Sequence, residues 1–286
     1  MTDPRAILLV RCPDRPGIIA AVSAFLTRHG ANITDFEQHS TNDDGGVYFT
    51  RLEFQTSQID LPLEDLQQAF ALDVARPYGM DWRLAVPSER KKVAVLVSRY
   101  DHALLELLWT WKRGDLRADV SLVISNHPDL REAVETFGVA FEHVPNDKLR
   151  RPEAEREMLG LLEGRSDLVV LARYMQIVSR DFVALFKDRM INIHHSFLPA
   201  FAGADPYRQA YDRGVKIVGA TAHYVTEELD AGPIIEQDVG RVSHRDEVED
   251  LKRLGRDLER RVLARAVRWH CEDRIIVHGN KTVVFS

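Results

Sequence analysis

The residues best suited to chemistry lie between Ile191 and Pro233. In Met190-Ile191-Asn192-Ile193-His194 an extended chain alternates its side chains, so Ile191 and Ile193 share one face and Asn192 and His194 the other. An amide and an imidazole at the end of a strand in an apolar sheet are costly unless they are hydrogen-bonded or used. The same alternation turns His195 to the opposite face, as a structural residue. Val218 to Val225 reads as another strand, followed by the loop Thr226-Glu227-Glu228-Leu229-Asp230-Ala231-Gly232-Pro233. A carboxylate in such a turn can simply bond its own backbone. If the loop folds back over the end of the Asn192 strand, however, an amide donor, an imidazole and a carboxylate converge. That set suits acyl transfer with water as the nucleophile.

Other chemistries fit less well. His194, His195 and His223 could compete as metal ligands, but no HExxH or cysteine pair completes a coordination shell, so no metal is expected. Ser196 lacks a GxSxG elbow and reads as a cap for the next turn. Ser98-Arg99-Tyr100-Asp101-His102 contains no glycine, and Asp101 at the expected helix N-cap puts negative charge where a phosphate would have to sit.

These residues need elements to hold them. A chain of 286 residues with 45% apolar residues has enough for two cores. Ala6 to Val10 reads as a buried strand ending in the turn Pro13-Asp14-Arg15-Pro16-Gly17. Ile18, Val22, Phe25 and Leu26 then recur at helical spacing until Gly30. Strands are expected at Ile33 to Thr41 and Val47 to Phe54 across Asn42-Asp43-Asp44-Gly45-Gly46, a helix at Leu63 to Leu72 and a strand at Met80 to Val86. The order βαββαβ is a ferredoxin-like unit over residues 1–86. Residues 87–92 form a polar linker. Beyond it, strand-like runs at Val93 to Ser98, Val120 to Ser125, Phe141 to Val144, Leu168 to Ala172 and Met190 to His194 alternate with helical stretches. That alternation predicts a doubly wound α/β domain with a parallel sheet over 93–286, its ligands beyond the carboxyl ends of the strands.

The formal net charge of -6 disfavours a nucleic-acid partner. Cys12 and Cys271 suggest no disulfide framework, which fits a cytoplasmic setting, and the N-terminal apolar run is too short for a membrane span or an export signal.

Asn192-Ile193-His194-His195-Ser196-Phe197-Leu198-Pro199-Ala200-Phe201 and His223-Tyr224-Val225-Thr226-Glu227-Glu228-Leu229-Asp230-Ala231-Gly232-Pro233 together resemble the motifs of formyltransferase-fold enzymes that use 10-formyltetrahydrofolate. With Ala172-Arg173-Tyr174-Met175 ahead of them, they are similar to the formyltetrahydrofolate deformylases in particular. Pro13-Asp14-Arg15-Pro16-Gly17-Ile18 with Asn32-Ile33 resembles the ACT regulatory module that precedes the catalytic domain in that family. Two departures stand out: Gln176, where the sister glycinamide ribonucleotide formyltransferases have arginine, and Asp205 and Arg208 around Pro206-Tyr207, where deformylases usually carry a basic residue and histidine.

The resemblance implies that Asn192, His194 and Asp230 are the catalytic trio. It implies that folate lies against Met175, Gln176, Ile177 and Val178 and the loop Val225 to Asp230, including Glu227. It implies hydrolysis of the N10-formyl amide to tetrahydrofolate and formate without a cofactor, serving one-carbon and purine metabolism. Asp230 would position and deprotonate water, directly or through His194, while Asn192 and His194 donate to the developing oxyanion. A homo-oligomer is expected, and a glycine or methionine effector on Asp14, Gly17, Ile18 and Asn32. The rival readings are transfer of the formyl group to an amine, which the glycine-free Ser98 loop opposes for a phosphorylated acceptor, and a regulator that binds folate without turning it over.

Overall fold

The computed structural model describes residues 4–42, 45–147, 149–199 and 206–285. Asp43 and Asp44 of the expected hairpin turn, and Ala200, Phe201 and Asp205 of the motif and its rim, lie outside them. The chain divides into two compact units. The first runs to Glu89 and takes back Glu272–Ile276 and the chain end from Val283; the second is Arg90–Cys271 with Val277–Thr282. The segment after Cys271, expected within the second domain, is thus shared between the two.

In the first unit β1 (Arg5–Pro13), α1 (Ile18–Arg28), β2 (Asn32–Ser40), β3 (Val47–Gln55), α2 (Leu63–Phe70), α3 (Arg76–Tyr78) and β4 (Asp81–Ala85) give the βαββαβ order, with strands arranged β2-β3-β1-β4. β1 is central because Ala6 to Val10 are apolar without a break and all five are buried. α1 buries Ile18, Val22, Phe25 and Leu26 as one stripe. α2 does not stop near Leu72 as expected. A π-helical turn at Ala71–Ala75 carries it into α3, because the extra residue brings Val74 and Ala75 back onto the stripe of Leu66 and Phe70 and turns Leu72 outward. Gly79, at φ 61°, ends the run.

The second unit holds β5 (Lys91–Val97), α4 (His102–Arg113), β6 (Ala118–Ser125), α5 (Arg131–Glu135), β7 (Phe141–His143), α6 (Arg151–Leu162), β8 (Leu168–Leu171), α7 (Arg180–Leu185) and β9 (Met190–His194). After α8 (Pro206–Asp212) come β10 (Ile217–Tyr224), β11 (Ile234–Arg241) and the long α9 (Val248–Cys271); β12 (Ile275–His278) and β13 (Lys281–Val284) form a small ribbon. The main sheet runs β11-β10-β9-β8-β5-β6-β7. β7, β6, β5, β8 and β9 are parallel, but β10 is antiparallel to both β9 and β11, so the sheet is mixed. The reason is local. A return as short as Val225 to Pro233 can join two strands only as a hairpin, and a wholly parallel sheet would need a longer crossover there.

Among the described residues no helix is long and apolar enough to cross a membrane. Asp101 stands at the N-cap of α4 as expected, but its side chain makes no cap hydrogen bond; its carbonyl accepts from Leu105 N instead.

Candidate active site

Two neighbouring strand ends build the site. The antiparallel register sets His223 opposite Asn192 and Thr221 opposite His194, so the polar faces of β9 and β10 form one surface. A register irregularity between Ala222 and His223, on the β11 side, breaks the ladder beside the site. Thr221, fully buried, donates its hydroxyl to Ser196 O and accepts from Leu198 N and Gln237 Nε2, which pins the chain leaving β9. Ser196 is buried within this arrangement.

The loop after β10 does fold back. A Cβ on Gly232 would lie 1.8 Å from Tyr224 O, so only glycine allows the loop to close on the strand it has just left. Asp230 adopts φ 56°, a left-handed conformation that short polar side chains tolerate better than others. This turn delivers Asp230 Oδ2 to 3.4 Å from His194 Nδ1 and Oδ1 to 3.7 Å from His223 Nε2. The His194 contact, then the His223 contact, hold the Asp230 carboxyl well below the usual carboxylate range and outweigh its partial burial, so it is ionised at neutral pH.

The tautomers follow from the bonding. His223 Nδ1 lies 2.9 Å from Tyr224 O, which can only accept, so Nδ1 carries a hydrogen, while Nε2 lies between Asn192 Nδ2 at 3.3 Å and Asp230 Oδ1 at 3.7 Å. The Asn192 amide is thereby held against the His223 ring at the end of β9. In His194 the Nδ1 edge faces the carboxylate, while Nε2 is buried with no hydrogen-bond partner among the described residues. An unsatisfied imidazole nitrogen beside an ionised carboxylate is poised for proton transfer.

His195 does not face away. β9 ends at His194, the chain bends, and the two rings lie 5.1 Å apart, so strand alternation no longer applies. Burial first, then the Arg173 and His194 charges, push the His195 imidazole down to about 4.

The residues expected to hold folate occupy two adjacent loops. Met175 and Ile177 are exposed, and Val178 and Val225 pack onto a common core cluster. Met175 N donates to Ser98 Oγ, Val225 N donates to Met190 O, and Arg180 Nε lies 3.9 Å from Glu227 Oε2, linking the loops at their rim. Gln176 is half-buried between the two exposed apolar side chains. At the base, Glu155 accepts from Ser179 N and Oγ, fixing the end of the first loop to α6. Met175 and Ile177 on one loop and Leu229 on the other leave apolar surface exposed, a character that suits a flat aromatic ligand.

The four residues expected to bind an effector do not converge within one chain. Gly17, at φ 94°, opens α1, its carbonyl accepting from Ala21 N and Tyr78 Oη; Ile18 is buried in the core; Asp14 N donates to Gly46 O. Asn32 donates to Gln55 Oε1. Gln55 and Val47 mark opposite ends of β3, and Pro13, just before the Asp14 turn, pairs with Val47, so Asn32 is some ~26 Å from that turn at about 3.3 Å per strand residue.

His223 was missed as a site residue except as a metal ligand, although alternation along Gly219-Thr221-His223 puts it on the face that meets Asn192. A buried cluster of Arg173, Glu259, His102 and Tyr207 was not legible, because its members come from separate elements.

Residues 91–267 match the formyl transferase family and residues 6–71 the ACT domain family. The formyltetrahydrofolate deformylase of Bacillus subtilis (strain 168) is 55% identical over 285 residues, covering 99% of this chain and 95% of the relative. The crystal structure of a formyltetrahydrofolate deformylase from Pseudomonas syringae superposes with a TM-score of 0.96 at 48% identity, covering 100% of this chain and 96% of the other. That of glycinamide ribonucleotide transformylase 1 from Symbiobacterium toebii gives a TM-score of 0.66 at 32% identity, covering 71% of this chain and 98% of the other. With a site of this geometry and relatives matched over nearly their whole length, the chain belongs to the formyltetrahydrofolate deformylase family.

Proposed function

We propose that this chain hydrolyses 10-formyltetrahydrofolate to tetrahydrofolate and formate, with Asn192, His194 and Asp230 as its catalytic residues and His223 positioning them. The observation that carries the reading is the His194 ring, with Nδ1 on an ionised Asp230 and a buried Nε2 that bonds nothing among the described residues. A carboxyl held this low is a poor terminal proton acceptor, so of the two routes for the water proton the one through His194 is favoured. Water attacks the formyl carbon as Nε2 takes its proton, and the Asn192 amide donates to the oxygen as it becomes negative. The new imidazolium, steadied by Asp230, then stabilises the oxyanion and gives its proton to the departing N10. A donor aimed at an oxyanion is typically worth about 100-fold to 1000-fold in rate, and a general base about 100-fold to 10,000-fold. The pterin would lie on the Met175 to Val178 and Val225 to Glu227 loops.

The reading requires no cofactor and no metal. It places the enzyme in the cytoplasm, where Cys12 and Cys271 stay as buried thiols and formate feeds one-carbon and purine metabolism. Unit 1 would act as the amino-acid sensor, with glycine or methionine as effector. Because Asn32 is distant from Gly17 and Asp14, a site using all three draws on two chains, which agrees with a homo-oligomer.

The decisive experiment supplies 10-formyltetrahydrofolate with no acceptor other than water. Formate should appear in step with tetrahydrofolate. Binding of folate without formate release would make the chain a sensor rather than a hydrolase. Repeating the assay with glycine and with methionine, while following the sedimentation coefficient, tests the regulatory part; unchanged turnover with both would reduce unit 1 to an assembly module.

A further inference from the structure

In an open doubly wound sheet the crevice for a ligand lies where the strand order reverses. Here that point is between β5 and β8, since the chain proceeds from β5 through β6 and β7 on one side and from β8 to β9 on the other. The two segments leaving these strands are bonded together: Ser98 N donates to Arg173 O, and Ser98 Oγ receives Met175 N while donating to Asn126 Oδ1. Folate loops and catalytic trio lie on the β8, β9 and β10 side. The middle of the crevice is filled by the protein itself.

Arg173 fills it. Its backbone is left-handed, at φ 62°, its guanidinium lies 5.0 Å over the Tyr100 ring, and its Nε is 3.5 Å from Glu259 Oε2 with no hydrogen bond among the described residues. Glu259, only 1% exposed on α9, accepts from His102 Nε2 at 2.8 Å and from Tyr207 Oη at 2.9 Å. Tyr207 fits only because position 255 is glycine, where a Cβ would sit 1.9 Å from its Oη. The cluster continues to His195, whose ring is 6.0 Å from Tyr207 and 5.1 Å from His194. Burying an arginine and a glutamate is expensive, and apolar residues of similar volume would fill the space at less cost. A non-glycine residue in the left-handed region adds strain. Expense concentrated beside a reacting centre points to function.

We propose that Arg173 and Glu259, with His102 and Tyr207, determine the acceptor: they fill the crevice that adjoins the His195 ring packed on His194, the volume an amine would enter to approach the reacting centre, so the formyl carbon is open to water alone. The inference rests on the hydrolase reading above. In hydrolysis the water oxygen bonds to the formyl carbon, the C–N10 bond breaks and the water proton passes through His194 to N10. With a primary amine in the emptied volume, a C–N bond forms in place of the C–O bond, the amine proton takes the same route and the products are an N-formyl amide and tetrahydrofolate. Neither path needs an oxidant or a reductant.

The test uses the full chain, 10-formyltetrahydrofolate and excess glycinamide, and measures the ratio of N-formylglycinamide to formate. Arg173→Gly empties the volume while keeping the backbone conformation, since glycine accepts a positive φ. The wild type should yield formate almost alone, and R173G should raise the ratio at least about tenfold. Should R173G prove insoluble, His102→Ala opens the same volume from α4 while leaving the Arg173–Glu259 pair, and a rise of several-fold is expected. An unchanged ratio in either folded variant, or a wild type that already formylates glycinamide, overturns the proposal. Absence of formate release by the wild type without glycinamide would instead strike at the hydrolase reading. Because the readout is a ratio, a change in overall turnover does not enter it.

Discussion

Asp230 Oδ2 stands 3.4 Å from His194 Nδ1, and the far nitrogen of that ring is buried without a partner among the described residues. The carboxylate therefore decides which nitrogen of His194 carries a hydrogen and which faces the reacting atoms. Asp230→Asn keeps the shape of the loop but replaces the anion with an amide that can present its NH2 to the ring, favouring the wrong tautomer. Its kcat should fall about 100-fold to 10,000-fold while folate affinity stays within a few-fold. Near wild-type formate release from D230N in a stopped assay would remove Asp230 from the mechanism.

Asn192 and His223 act as a pair. His223 Nε2 lies 3.3 Å from Asn192 Nδ2 and so fixes the orientation of that amide. Asn192→Ala should lower kcat by about 100-fold or more with little change in KM, because the bond it removes strengthens only as charge develops on oxygen. His223→Phe should lower kcat less, and adding it to N192A should cost little further, since the two share one interaction. Fully additive losses in the double mutant would mean that His223 acts on its own.

How much of this was legible in sequence depends on how local each signal is. The βαββαβ order followed from runs and turns within the chain, and Asn192 and His194 followed from a period of two along one strand. Asp230 followed only conditionally, since the return of its loop depends on Gly232 lying against Tyr224 O, a contact no periodicity reports. Alternation does not reach His195, because β9 ends at His194 and the chain bends there. The antiparallel β10 was not foreseen because a strand's direction is set by how its connections return. Asn32 was grouped with Gly17 from a motif alone, and the register of β3 places them at opposite ends of the sheet. The Arg173 cluster draws one residue each from the segment after β8, from α4, from α8 and from α9, and such convergence leaves no pattern in any single stretch.

Removal of metal ions should leave the enzyme working. In the proposed mechanism amide, imidazole and carboxylate would supply the oxyanion donor and the proton route, and no Lewis acid would be called upon. Dialysis against strong chelators should change kcat by less than about twofold, a margin that any catalytic ion would far exceed. Activity lost on chelation and regained with zinc would instead make His194, His223 and Asp230 a ligand set.

The last expectation concerns stability and has a definite sign. His195 is kept near pKa 4 by burial, then by the Arg173 and His194 charges, against 6.5 in its ordinary state. The unfolded chain therefore takes up a proton on this ring as the pH falls below about 6.5, whereas the folded chain resists it until about pH 4. The contribution is fully present above 6.5, fades across the window from 6.5 to 4 and is constant below it, and over that span it amounts to about 3 kcal/mol at most. Asp230 and Glu259 act in a lower window. Burial raises Glu259, but the His102 and Arg173 interactions more than offset this, so both carboxyls are held below their ordinary range and lose their contribution only as the pH falls beneath about 4. Denaturant unfolding measured every half unit of pH should thus show a shallow decline from 6.5 to 4 followed by a steeper one. His195→Gln, which cannot titrate, should flatten the shallow part and leave the steep part in place. An unaltered slope between pH 6.5 and 4 in that variant would mean that His195 is protonated in the fold, and with it that the ring does not sit as a neutral spacer between the Arg173 cluster and His194.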